Sequence, residues 1–400
     1  MSKRIQIKDI AIIGGGLSGL ALACILAQNG LEVVCIDKED TKKTLKTQYD
    51  GRTTAISAGS KNVLEQAGIW NDIIKQGCPI RDIHITDSGS PILLEFLSAD
   101  VSADAFGWIF ENLTLRQALI KKAKKLKSLT HFAPAEVSNM RVDDSNVTIS
   151  IDDKLTIEAK LLIGADGRGS FVRQWAGIET RQWSYNQQAV ICTVTHENSH
   201  DNIAVEDFRA EGPFAILPME KDKKGQHRSS VVWTEHNPKN SAMDWSEQTF
   251  NAGLTARFPE RYGDVKLASK RFVYPLGLIH AHDYIAPRTA LVADAAHGIH
   301  PIAGQGLNLG YRDIAELSKL LITAKSERED LGNVALLEKY QKARRMDNMT
   351  MAAATDSLNA LFSNPVTPVR LVRKMGLKAI QKITPTKKFF MRQAMGTQKL

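Results

Sequence analysis

The residues best suited to chemistry lie in three separated segments, each an apolar run closed by glycine or aspartate. In the first, Gly14, Gly16 and Gly19 form G-x-G-x-x-G between the run Ile10–Ile13 and the apolar stretch 17–28. The first glycine allows a tight turn, the second lets backbone approach a pyrophosphate, and the third lets a helix pack close to a strand. A helix beginning at Leu17 offers free N–H groups and a positive dipole end to phosphates, and Ser18 adds a hydroxyl. Asp37 closes the next run, Val33–Ile36, where an acidic side chain can hydrogen-bond a ribose diol. The unit predicts dinucleotide binding, and at this point an NAD-dependent Rossmann enzyme satisfies it as well as any other.

The second segment is the run 161–163 followed by Gly164, Ala165, Asp166 and Gly167, with Gly169, Ser170 and Arg173 after it. An aspartate at the C-terminal end of a strand sits where α/β sheets place ligands. Asp166 can accept from a ribityl hydroxyl or orient an arginine; the plainer reading is an Asx-turn that ends the strand. The third segment runs from Ala290 through Asp294 to His297, then Pro301, Gly304, Gly306 and Asn308, with a helix starting near Leu307. Glycines at 304 and 306 let the backbone pass close to a flat ring, and the new helix has its first N–H groups free. Aimed at the N1/C2=O edge of a reduced flavin, such a helix start favours the anion by about 0.3–1 kcal/mol if exposed and up to ~2 kcal/mol if partly buried. His297 and His300 are the candidate catalytic side chains beside that ring; the alternative for each is a polar turn histidine. The sequence shows no Ser/His/Asp or paired-carboxylate constellation.

The elements that would position these segments read as α/β. A βαβ unit opens the chain, helices are predicted over 57–67, 114–127 and 307–323, and a hairpin turns at Asp152-Asp153. Between about Ser184 and Pro275 the runs Ala189–Val194, Phe214–Leu217 and Ser229–Thr234 are strand-like, predicting an inserted antiparallel sheet. The expectation is a Rossmann-like dinucleotide domain over 1–183 and 276–330, a substrate-binding sheet over 184–275 and C-terminal helices over 331–400.

Composition bounds the rest. The chain has 400 residues, 43% apolar and 24% charged, ordinary for a globular protein with a sizeable core. A net charge of +8 and pI of 9.1 leave nucleic acid, an anionic membrane surface or an anionic cofactor open. The basic excess is concentrated at the end, because 357–400 contains Lys and Arg but no Asp or Glu. That asymmetry favours a surface role for the C-terminus over nucleic-acid binding. A stripe of Val369, Val372, Gly376, Ala379, Ile380 and Ile383 runs beside Arg370, Arg373, Lys374, Lys378 and Lys382, which suits docking on anionic lipid. A solvated basic helix packed on the core is the alternative. Cys24, Cys35, Cys78 and Cys192 show no CxxC spacing and no companion histidines, so no metal is expected, and reduced thiols in a cytosol fit them best. No secretory signal is visible, and no apolar run reaches the roughly 18 residues of a membrane span.

Taken together, in this order and spacing, the three segments resemble the FAD-dependent aromatic hydroxylases related to p-hydroxybenzoate hydroxylase, and most closely the ubiquinone-biosynthesis hydroxylases (the UbiH/UbiF group). The resemblance covers nearly the whole chain. Asp50 to Ser57 looks like that family's arginine-bearing segment, Leu113 to Leu119 like its flavin-side helix, and Leu361 to Asn364 with Lys374 to Leu377 like its C-terminal signature. It implies that Gly14, Gly16, Leu17, Ser18 and Gly19 hold the FAD pyrophosphate. Asp37 and Lys38 would reach the ADP ribose and adenine side, and Arg52 and Arg116 the diphosphate and ribityl chain. Asp166 would belong to a motif shared by FAD and NAD(P)H, Asp294 would bind the ribityl hydroxyls, and Gly306, Leu307 and Asn308 would underlie the ring. Val137, Pro301 and Gly304 complete the implied cofactor set. One departure stands out: the family usually has Gly before the third-segment Asp, and here it is Ala293; the added methyl is small, so FAD binding is expected to survive. The implied reaction is hydroxylation of a polyprenyl phenol with FAD, NAD(P)H as transient co-substrate and O₂. The expected location is the cytoplasm, and the basic C-terminus adds the hypothesis of a peripheral place on the inner face of the cytoplasmic membrane, with other ubiquinone-biosynthesis proteins as candidate partners. A hydroxylase of a small soluble phenol and a non-catalytic flavoprotein of a biosynthetic complex are the alternatives.

Overall fold

A computed structural model describes the chain except for residues 1–3, 48, 102, 210, 237–240, 300–303, 363–374, 378 and 397–400. His300, Pro301 and much of the C-terminal signature and basic stripe therefore lie outside the described residues. In the first sheet the central strand Arg4–Ile13 pairs in parallel with Val33–Ile36 on one side and Leu155–Gly164 on the other. Leu129–Phe132 and Thr289–Leu291 extend it, again in parallel. The runs Ile10–Ile12, Val33–Ile36 and Leu161–Ile163 are buried, as strands covered on both faces must be. The helix Leu17–Gln28 is buried from Ser18 to Ala27, packed against the helices Asn112–Ala123 and Gln305–Glu327. Its apolar character on all sides reflects that sandwiched position. The hairpin turn falls where Asp152-Asp153 predicts it. Both residues adopt left-handed φ (47° and 54°), the conformation a type I′ turn requires.

The second sheet has nine strands, in the order His297–Gly298, Phe272–Ala281, Thr180–His196, His227–His236, Phe214–Met219, Ile203–Phe208, Asp82–Asp87 and Leu94–Leu97, with Val265–Leu267 also paired to Thr180–His196. This corrects the boundaries read from sequence. Positions 183/184 and 275/276 fall inside the strands Thr180–His196 and Phe272–Ala281. The sheet also recruits 82–97, far outside the expected insertion. Alternation reveals a strand but not its partner; pairing is fixed by the buried face it completes. The pairing is antiparallel throughout except between Ile203–Phe208 and Asp82–Asp87, which run parallel. Thr53–Ser57, Gly107–Glu111 and Cys78–Ile80 form a separate three-stranded antiparallel sheet.

Helix limits shift modestly. The stretch predicted over 114–127 folds as Asn112–Ala123, and that over 307–323 as Gln305–Glu327. Helices Val334–Phe362 and Thr384–Met395 close the chain, and Phe362, Leu377, Met391 and Met395 are buried against the second sheet. All four cysteines are buried and unpaired, and burial pushes the Cys24, Cys78 and Cys192 thiols up to about 12. Such thiols are packing groups, not nucleophiles.

Candidate functional site

The glycine loop shows which of its residues the backbone demands. Gly14 has φ +105°, and a Cβ there would stand 2.3 Å from the Ala165 carbonyl oxygen. A Cβ on Gly19 would stand 1.8 Å from the Gly14 carbonyl oxygen. Gly16 differs: nothing lies within 4 Å of its Cβ position, and it precedes Leu17–Gln28 with no side chain capping the free N–H groups. The loop thus leaves open space in front of an uncapped helix N-terminus, which suits a pyrophosphate.

Asp37 follows its strand, and its Oδ1 accepts from the Glu39 N–H (3.0 Å). A Cβ on Gly15 would meet Asp37 Oδ2 at 2.7 Å and His131 Nε2 at 3.0 Å. Arg116 pairs through Nη2 with Glu39 Oε2 at 2.7 Å. Arg116 Nε and His131 Nε2 are buried without hydrogen-bond partners. Two orphaned polar atoms, His131 Nε2 near Asp37 and Arg116 Nε near Glu39, fit the polar end of a dinucleotide. Arg52 is bound to its neighbour Asp50 (3.3 Å), Lys38 is exposed, and Val137 sits on the strand Val137–Val142, packed on the core.

Asp166 turns out to serve its own turn. Its Oδ1 accepts from Ser170 Oγ (2.5 Å) and its Oδ2 from the Phe171 and Val172 N–H groups (2.7 and 3.1 Å). The Asx-type reading describes these contacts. The long reach belongs to buried Arg173, which donates to the carbonyls of Ala295 (2.8 Å) and Arg168 (2.7 Å) and so ties the second segment to the third.

The third segment is the most heavily braced. Asp313, fully buried on Gln305–Glu327, accepts from the Ala293 N–H (3.0 Å), His297 Nε2 (2.5 Å), Arg344 Nε (2.9 Å) and Asn348 Nδ2 (3.1 Å). Burial alone would raise this carboxyl, but His297, Arg344 and Asn348 outweigh it and hold the pKa near 2. His297 is therefore a bracing residue. It is buried, stacks on Tyr284 and is not among the side chains lining the cavity between the two large sheets. Asn308 is likewise committed: its Oδ1 accepts from the Ser57 N–H (2.9 Å), and its Nδ2 donates to the carbonyls of Ala55 (2.9 Å) and Gly304 (3.0 Å). The helix start is thereby pinned to the strand Thr53–Ser57. Gly304 is left-handed (φ +61°) and leaves the following helix without a side-chain cap.

Ala293 carries φ +54°, a region where an L-residue with a Cβ is strained by about 1–2 kcal/mol. Glycine adopts this conformation without that strain. Its methyl is housed because position 310 is glycine; a Cβ on Gly310 would fall 2.6 Å from the Ala293 Cβ. Gly310→Ala is expected to lose about 1–3 kcal/mol in denaturant unfolding, and Ala293→Gly to restore most of that loss in the double variant. Strictly additive effects would show that the two positions do not share the space.

Between the two large sheets opens a cavity of about 1250 Å³. It gathers Gly16, Leu17, Ser18, Asp294, Gly304, Gly306, Leu307 and Asn308 on one side. Asp37, Lys38, Arg52, Arg116, Val137 and Asp166 do not line it. Asp294 faces the cavity space but is surrounded by protein, and this burial raises its carboxyl pKa against the lowering pull of His297 and Arg168. The other walls are mostly apolar, with Ile83, Ile85, Phe96, Ile191, Leu217 and Val232 from the nine-stranded sheet and Phe362, Leu377 and Ile380 from the C-terminal helices.

Comparison with known proteins completes the picture. Residues 8–355 match the family model described as the FAD binding domain. The chain is 43% identical to ubiquinone hydroxylase UbiL of Rhodospirillum rubrum, over 99% of this chain and 91% of that protein. The chain belongs to the ubiquinone-hydroxylase family of FAD-dependent monooxygenases. It is also 34% identical to 3-demethoxyubiquinol 3-hydroxylase of Escherichia coli, over 98% of this chain and 99% of that one. Among solved structures, p-nitrophenol 4-monooxygenase PnpA from Pseudomonas putida matches with a TM-score of 0.80 at 19% identity, covering 99% of this chain and 100% of the other, a likeness of fold. For a member of this family the open space at Gly16, the uncapped helix starts at Leu17 and Gln305, and the carboxylate of Asp294 fit FAD. Sequence reasoning missed Glu39, His131, Asp313, Arg344 and Asn348, whose partners lie on distant elements.

Proposed function

We propose that this protein hydroxylates the aromatic ring of a polyprenyl phenol in ubiquinone biosynthesis, consuming NAD(P)H and O₂ and releasing NAD(P)⁺ and water. The observation that carries the reading is the shared cavity, with a dinucleotide wall on one side and apolar strands on the other. FAD held there would supply the redox and oxygen chemistry, with its electrons coming from NAD(P)H. Gly16, Leu17 and Ser18 would hold the pyrophosphate and Asp294 the ribityl hydroxyls, with the backbone of Gly304 to Asn308 available to the flavin. Asp37, Arg116 and His131 serve the adenosine end. The sheet and the C-terminal helices exclude water and receive the prenyl tail.

A deletion strain should accumulate an under-hydroxylated quinone precursor, and the purified protein should show NAD(P)H oxidation stimulated by that precursor. A normal quinone profile, with oxidation stimulated instead by small soluble phenols, would favour the catabolic alternative; no stimulation by any phenol would favour a non-catalytic flavoprotein.

The finer reading concerns place. No helix among the described residues is long and apolar enough to cross a membrane. Yet Ile383, Phe389 and Phe390 are 51%, 50% and 44% exposed, and Phe390 also lines the cavity. Lys382, Lys388 and Arg392 lie on the same stretch. Apolar side chains at the cavity's edge among cations suit an anionic bilayer surface. Ile383→Ser with Phe389→Ser should weaken sedimentation with phosphatidylglycerol vesicles while leaving flavin content intact; unchanged sedimentation would remove this reading.

A further inference from the structure

The strand Ile203–Phe208 places one carboxylate where its neighbours are hydrocarbon. Glu206 lies opposite Ala215 on one adjoining strand and Ile85 on the other. The row continues to Val232 beyond Ala215 and to Leu94 beyond Ile85. All five residues line the cavity, and Glu206 is the one carboxylate that the sheet side contributes among the described residues. Its carboxylate has no hydrogen-bond or ion-pair partner among the described residues. An unpaired carboxylate in an apolar wall is unfavourable by several kcal/mol unless a ligand or a proton satisfies it.

We propose that Glu206 is a catalytic residue that accepts the proton of the substrate's ring hydroxyl as the ring is attacked. The proposal rests on the hydroxylase reading above. In this step the substrate O–H bond breaks, an O–H bond forms on Glu206, and the electron pair left on the phenol oxygen enters the ring. That pair makes the ortho and para carbons more nucleophilic toward the incoming oxygen. When the ring rearomatises, the attacked carbon gives up its hydrogen as a proton to solvent, matching the proton taken up as the second oxygen atom of O₂ leaves as water, and Glu206 returns its own proton to the phenolate.

The environment suits the task. Burial, with a smaller contribution from Asp207, raises the Glu206 carboxyl to about 7, and a base poised near the working pH is the most effective. The other ionisable groups lining the cavity, among the described residues, are Arg168, Tyr274 and Asp294. By strand alternation Asp207, His84 and Glu95 face the opposite side of the sheet. Asp207 is engaged there by Arg209 (2.5 Å) and Thr86 (2.8 Å), and His84 by Glu95 (3.0 Å).

The test uses the full-length holoprotein and ortho-geranylphenol as the probe. Wild-type hydroxylation should rise with pH through about 7, where Glu206 loses its proton. Glu206→Gln should retain full flavin content and bind the probe with a Kd within a few-fold of wild type. Its hydroxylation rate should fall roughly 100-fold, within the range for a lost general base, with the pH dependence flattened and the consumed O₂ appearing as H₂O₂. Wild-type rate and pH profile in Glu206→Gln would overturn the proposal, as would a raised Kd with an unchanged turnover rate, which would make Glu206 a binding group only. A wild-type holoprotein that neither binds nor hydroxylates the probe would overturn the hydroxylase reading, and this proposal with it.

Discussion

Asp313→Ala is expected to destabilise the protein by about 3–5 kcal/mol and to release its FAD. The carboxylate is fully buried and accepts four hydrogen bonds, two of them from His297 and Arg344. Removing it leaves the Arg344 guanidinium in the interior with Asp347 (2.7 Å) as its remaining charged partner. It also frees the Ala293 N–H, so the strained turn that presents Asp294 loses its brace. Denaturant unfolding and flavin absorbance per protein would measure both effects. The pH sign follows from a folded pKa near 2 against an ordinary 3.8. This stabilisation is complete above about 4 and is lost as pH falls toward 2, so wild type and Asp313→Ala should converge in acid. A variant with wild-type stability and flavin content would show that the network is decorative.

Gly19→Ala and Gly16→Ala should separate folding from cofactor binding. At 19 the new methyl would meet the Gly14 carbonyl oxygen at 1.8 Å, a backbone contact that no rotamer relieves. The helix must move away from the loop, so both stability and FAD should be lost. At 16 the methyl enters empty space. That protein should fold with near-normal stability, yet hold FAD at least roughly tenfold more weakly, about 1.4 kcal/mol, because the methyl occupies the room meant for phosphate. Thermal unfolding of the apoproteins, followed by FAD titration, reads both quantities. Equal FAD affinity in Gly16→Ala and wild type would place the pyrophosphate elsewhere.

These two experiments mark how far the sequence can be read. The Gly14–Gly19 loop and Asp37 were legible because local spacing dictates them: strand, turn, helix and strand follow one another without interruption. The Ala293–Asp294 turn was legible as a motif, but the conformation of Ala293 was not, since the room for its methyl depends on Gly310 in the next helix. Asp313, Arg344 and Asn348 look in sequence like any polar residues of an amphipathic helix. Only the packing of one helix on the other brings them together. His297 read as a possible ring neighbour because it follows Asp294, but the strand it enters turns it toward Asp313 and Tyr284. The wall that carries Glu206 was hidden for the same reason, because its row crosses five strands drawn from separate parts of the chain.

The parallel pairing of Asp82–Asp87 with Ile203–Phe208 has a consequence for how the protein is made. During translation Ile83, Ile85 and Phe96 leave the ribosome well before the strand that will cover their open edge, and the sheet is not closed until Gly298 has followed. For that interval the nascent chain carries an uncovered apolar hairpin of the kind that chaperones bind and that aggregates when they are scarce. Growth conditions that slow elongation between these segments should therefore lower the yield of soluble protein without altering the finished molecule.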